Sequence, residues 1–79
     1  MQAIQTRYLS ATDHHGTRVK AWTLGGSIIL PWDYEAETLG NHKAAAVALQ
    51  SKLGWAIYGR LHTGVIPSGD YVHVFAELV

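Results

Sequence analysis

At 79 residues and 8.7 kDa the chain holds one small domain, 1–79, and is too short for two. An apolar fraction of 48% with only two prolines excludes a disordered or Pro-rich chain, and the longest run without a charged residue, 21–32, is twelve residues broken by Gly25, Gly26 and Ser27, far below the roughly 20 apolar residues a membrane-crossing helix needs. Six basic against six acidic residues weigh against a dedicated phosphate-backbone binder and against a whole-surface DNA mimic, and the absence of cysteine removes disulfides and thiolate chemistry.

Met1 to Arg7 carries no basic segment followed by an apolar run, so no secretory signal is expected and the default compartment is the cytosol. Gln2 to Leu9 and Thr17 to Leu24 alternate at the two-residue period of strands. Ala11 to Gly16 between them reads as a turn with Asp13, His14 and His15 at its tip and Gly16 supplying backbone freedom. Ser27 to Trp32 predicts a third strand, and Pro31 places its end at a sheet edge. Asp33 to Gly40 is an acidic loop leading to a helix, with Asn41 as N-cap, His42 to Leu53 as helix formers and Gly54 as the left-handed residue that stops it. Ala45, Ala46, Ala48, Leu49 and Leu53 make a narrow stripe of small and apolar residues on that helix, and Trp55 is placed to pack back onto Leu49. Ile57 to Gly64 reads as a short strand, Pro67 to Asp70 as a turn, and Tyr71 to Leu78 as the last strand. The sum is an α+β fold, about β-β-β-α-β. A small antiparallel sheet of three to five strands carries one helix on one face, and the other face is left open.

That open face is the first candidate site. Arg18, Lys20 and Trp22 project from one side of the second strand with Arg7 on its neighbour, a basic and aromatic surface able to hold phosphates and stack a base or to meet an acidic protein surface. Three charges make a weak field, and a solvated strand face with Trp22 half-buried is the competing reading. The second candidate is the loop: Trp32, Asp33, Tyr34, Glu35 and Glu37 combine negative charge with aromatic anchors and suit a basic protein groove, against the plainer role of favouring the positive helix end. The charges are segregated along the chain, residues 1–32 holding Arg7, Arg18 and Lys20 against Asp13 before the three acids of the loop.

Enzymatic readings fail on spacing. His14, His15, His62 and His73 fit no zinc-ligand pattern, so no metal or cofactor is expected. Gly54 to Leu61 has phosphate-loop glycine spacing but Arg60 and Leu61 where Lys and Ser or Thr are required. Ser27 and Ser68 lie outside a nucleophile elbow, and Asp33, Glu35 and Glu37 lack the apolar surroundings that raise a carboxyl pKa. A small core without cross-links leaves monomer and homodimer both open.

The stretches MQAIQTRYLSAT (1–12), GTRVKA (16–21), NHKAAAVALQSKLGW (41–55) and YGRLHTGVIPSGDYVHVF (58–75) cover most of the chain. On these the sequence resembles a family of very short bacterial proteins carried on prophages and plasmids. Among small proteins of that kind are anti-CRISPR inhibitors, and the chain is similar to an inhibitor of a type I effector complex, type I-C being the candidate subtype. The resemblance implies stoichiometric blockade of target DNA binding by contact with an effector subunit, direct nucleic-acid contact being secondary. It carries no short motif, so it transfers no site residue. A small nucleic-acid-binding accessory protein of a mobile element, using Arg7, Arg18, Lys20 and Trp22, is the alternative.

Overall fold

The structure, a computed structural model, describes residues 3–54 and 61–75. Its elements in chain order are β1 (Ile4–Leu9), β2 (Arg18–Thr23), β3 (Gly26–Pro31), α1 (Thr38–Lys52), β4 (Leu61–Val65) and β5 (Tyr71–Phe75). The five strands form one antiparallel sheet in the order β3-β2-β1-β5-β4, with α1 packed on one side, the α+β architecture expected of the element order. No helix among the described residues is long and apolar enough to cross a membrane.

Strand alternation decides which side chains meet the helix. Ile4 and Thr6 of β1 with Val19 and Ala21 of β2 are buried, and Ile28 and Leu30 of β3 pack against the same cluster. From the helix Ala45, Ala46 and Leu49 close the core, each fully buried. Two alanines on this stripe carry no bulk beyond Cβ, so the helix axis comes close to the sheet and a single leucine fills the layer. β3 is an edge strand ending at Pro31, and its Ser27 carbonyl accepts a hydrogen bond of 2.9 Å from Lys52 Nζ. A charged side chain laid on an edge in this way blunts it against further pairing.

The helix begins one turn earlier than its capping residue predicts. Glu37 is the N-cap and its side chain makes no capping bond, while Asn41 lies buried inside the helix. The chemistry expected of Asn41 is present but aimed backwards, onto the backbone of the preceding loop. The C-terminal reading holds: Leu53 N–H donates to the Leu49 carbonyl, and Gly54 takes φ +75°, where a Cβ is strained. At the β1–β2 tip, Gly16 is not in a left-handed conformation; Thr12 organises the return, its hydroxyl accepting from the backbone N–H groups of His14 and His15. The turn before β5 is closed by Gly69 N–H to the Ile66 carbonyl and Ile66 N–H to the Asp70 carbonyl. The expected packing of Trp55 on Leu49, residues 57–60 of the strand read after the helix and residues 76–78 of the last strand lie outside the described residues.

Candidate functional site

Register brings the first candidate set together. Gln5, Arg7 and Leu9 stand opposite Trp22, Lys20 and Arg18, which in turn stand opposite Ser27, Ile29 and Pro31, all on the side of the sheet away from α1. Cross-strand neighbours on one face lie within reach of long side chains. The Arg7 guanidinium accordingly sits 5.3 Å from the Trp22 ring centroid and the Lys20 ammonium 5.5 Å from it. Both cations thus lie within cation–π reach of Trp22, and Ile29, half-exposed, stands opposite Lys20 in the register.

Arg7 has a partner that sequence reading missed. The Asp70 carboxylate accepts from Arg7 Nη2 at 2.8 Å and Nε at 3.1 Å and from Gln5 Nε2 at 2.8 Å. The acid side chain is 7% exposed and the arginine 52%. Hydrogen bonding to Arg7 is the main force holding the Asp70 carboxyl below its ordinary pKa; burial opposes it and Gln5 assists. Asp70 in turn raises the Arg7 pKa. Arg7 is thereby neutralised within the molecule, leaving Arg18 and Lys20, among the described residues, as the cations of this face not paired with an acid. Arg18 leans along the hairpin base, its Nε donating to the Gly16 carbonyl.

The second candidate set divides. Trp32 does not join Trp22; it packs against the core on the helix side, edge-on to Tyr8 at 5.0 Å and to His42 at 6.0 Å. The remaining loop residues stay outside. Asp33, Glu35 and Glu37 are exposed, and Tyr34 is 77% exposed. Asn41 fixes the loop: Asp33 N–H donates to Asn41 Oδ1 at 2.7 Å, and Asn41 Nδ2 donates to the carbonyls of Asp33 and Glu37. Asp33 Oδ1 accepts from Glu35 N–H, tightening the bend. The loop leaves the sheet beside Arg18, which pairs with Pro31, while Trp32 N–H donates to the Thr17 carbonyl. The acidic loop and the basic face therefore adjoin at one corner.

A third grouping lies inside. Thr6 Oγ1 is 2.7 Å from His42 Nδ1 and 2.9 Å from His73 Nε2, and His73 Nδ1 is 2.8 Å from Thr63 Oγ1. Tyr71 stacks on His42 with ring centroids 4.2 Å apart. Burial lowers the His73 pKa to about 4, aided by the charges of His42 and Lys43; burial also lowers that of His42, against the pull of Asp70. The sequence signal for His42 was its spacing from Ala45, Ala46 and Leu49, which continues the buried stripe by one turn. For His73 it was alternation with Tyr71 on the inward side of β5. His14 and His15 are exposed on their turn, and no three His, Asp or Glu side chains among the described residues converge on a metal position. No protein family, curated protein or solved structure matches the chain.

Proposed function

We propose that the protein is a non-catalytic inhibitor that docks on a type I CRISPR effector complex in the bacterial cytosol and blocks target DNA binding, type I-C being the first subtype to test. The resemblance described above supplies the partner. The observation that carries the binding mode is the uncovered sheet face, where Trp22, Lys20, Arg18 and Ile29 stand together because the single helix covers only the opposite side. An aromatic anchor held by neighbouring cations has fewer rotamers to lose on association, which favours Trp22 as the centre of the contact. Arg18 and Lys20 suit an acidic rim, while the 33–37 loop with Tyr34, adjoining the same corner, suits the positively charged channel in which such effectors hold nucleic acid.

The alternative, direct nucleic-acid binding, is favoured by the placement of Trp22 among cations on an open sheet. It is weakened by the loss of Arg7 to Asp70, which among the described residues leaves Arg18 and Lys20 as the cations of this face not engaged by an acid, where backbone binding calls for more. The test is a titration of target DNA against purified effector with and without saturating protein. Abolished DNA binding, restored when Lys20→Glu and Trp22→Ala are combined in a folded variant, supports blockade through this face; unchanged DNA binding by the effector refutes blockade. Salt-dependent binding of duplex or single strands by the protein alone would select the alternative.

A further inference from the structure

Thr6 stands between two buried imidazoles and its hydroxyl has one proton to donate. With both rings neutral the bonds run in a single direction. Either His42 Nδ1–H donates to Thr6, Thr6 to His73 Nε2 and His73 Nδ1–H to Thr63, or every bond is reversed. One added proton fits: a charged His73 donates to Thr6 and Thr63 while the Thr6 hydroxyl still donates to His42 Nδ1. A second does not fit, because both rings then donate to Thr6, whose own proton loses its acceptor in the relay, and two like charges share one buried oxygen.

We infer that the Thr63–His73–Thr6–His42 relay is an acid-released latch, fastening the start of α1 and β5 to β1 while it holds at most one proton and opening when the second arrives. The inference is independent of the proposed partner. Among the described residues, the groups acting on the pair from the surrounding elements give the second proton little support. Asp70, at the start of β5, is the acid that favours charge on His42, but its carboxylate already holds Arg7 of β1; Lys43 of α1 disfavours charge on His73. Tyr71, tilted against His42, and Trp32, at right angles to it, bring aromatic rings and no charge to His42, and Thr63 is the contribution of β4. His42 shares its helical turn with Asn41, which holds the 33–37 loop, so opening the latch also loosens that loop.

The sign follows from the lowered imidazole pKa values. The opened chain takes up protons near pH 6.5, so the latch is fully closed above that value and weakens as pH falls from about 6.5 toward 4. The test records imidazole nitrogen shifts and amide-exchange protection factors on the full chain from pH 7.5 to 4. At neutral pH each ring is expected in a single tautomer, the two matching one direction of the relay. Opening of the first α1 turns and β5 should rise by up to about a hundredfold per pH unit, reflecting two protons. His42→Asn keeps a polar group near the Nδ1 position without a titrating proton and should lower that slope by one proton, about tenfold per unit. Two imidazolium signals in a chain whose α1 amides remain protected would overturn the latch, as would a slope that His42→Asn leaves unchanged. The first of these readouts needs no variant to fold.

Discussion

The Asp70 carboxylate is covered while the guanidinium it holds stays half in water, so the pair is a clamp on the sheet more than a surface charge. Asp70→Asn removes the charge and turns one of the two acceptor oxygens that serve Arg7 and Gln5 into a donor, whereas Arg18→Ala removes one exposed contact. Asp70→Asn is therefore expected to lower the urea midpoint at pH 7 more than Arg18→Ala. The pH dependence has a definite direction. The folded carboxyl pKa lies below its ordinary value of 3.8, so this contribution is fully present above the unfolded pKa and is lost as pH falls below about 4 through the folded value. Urea midpoints from pH 5 to 2 should show this acid loss in the wild type and its absence in Asp70→Asn; equal slopes would remove Asp70 from the account. Arg7 was legible as a basic residue on an alternating strand. Its neutralisation was not, because the β1–β5 register joins residues 63 apart and no local pattern encodes it.

Among the elements, α1 shows how a correct chemical reading leads to a wrong boundary. Asn bonds readily to nearby backbone, which is why it marks helix starts. Here the same capacity is directed at the loop that precedes the helix, and the true N-cap, Glu37, contributes no side-chain bond. The end at Gly54 was legible because positive φ is a backbone demand that glycine meets alone and locally. Asn41→Ala should destabilise the protein by about 1–2 kcal/mol in urea titrations, the range for losing a buried side-chain bond to backbone. It should also raise amide exchange at Asp33 and at the first turn of α1. A change confined to solvent-exposed amides elsewhere would show that Asn41 does not hold the loop. The strands were read closely for a physical reason: period-two alternation survives wherever one face of a sheet meets a helix and the other does not. Trp32, grouped with the acidic loop as a docking anchor, instead continues the alternation of Ile28 and Leu30 one step past the end of β3 and packs on the same core side.

At the scale of the molecule, the central strand β1 joins two parts of unequal attachment. On one side β2, β3 and α1 share the apolar core of Val19, Ala21, Ala45, Ala46 and Leu49. On the other, β5 pairs with β1, among the described residues, through Ile4 with His73, Gln5 with Val72 and Thr6 with Tyr71, and carries β4 beyond it. Polar clamps reinforce that pairing on both faces: Gln5 and Arg7 hold Asp70 on the open side, and Thr6 holds His73 on the helix side. Hydrogen bonds contribute less net stability than apolar burial of comparable extent, so the β4–β5 hairpin should be the part that opens first. Native-state hydrogen exchange tests this directly. Amides of 62–65 and 71–74 are expected to exchange through an opening of lower free energy than those of β2 and the middle of α1. Thr6→Val, which keeps the side-chain shape and deletes the hydroxyl, should lower protection in that hairpin more than in β2. Equal protection in both halves, falling together in Thr6→Val, would mean that β1 transmits every loss across the sheet and that the molecule unfolds as one unit. In that case the latch could release α1 only by unfolding the whole domain.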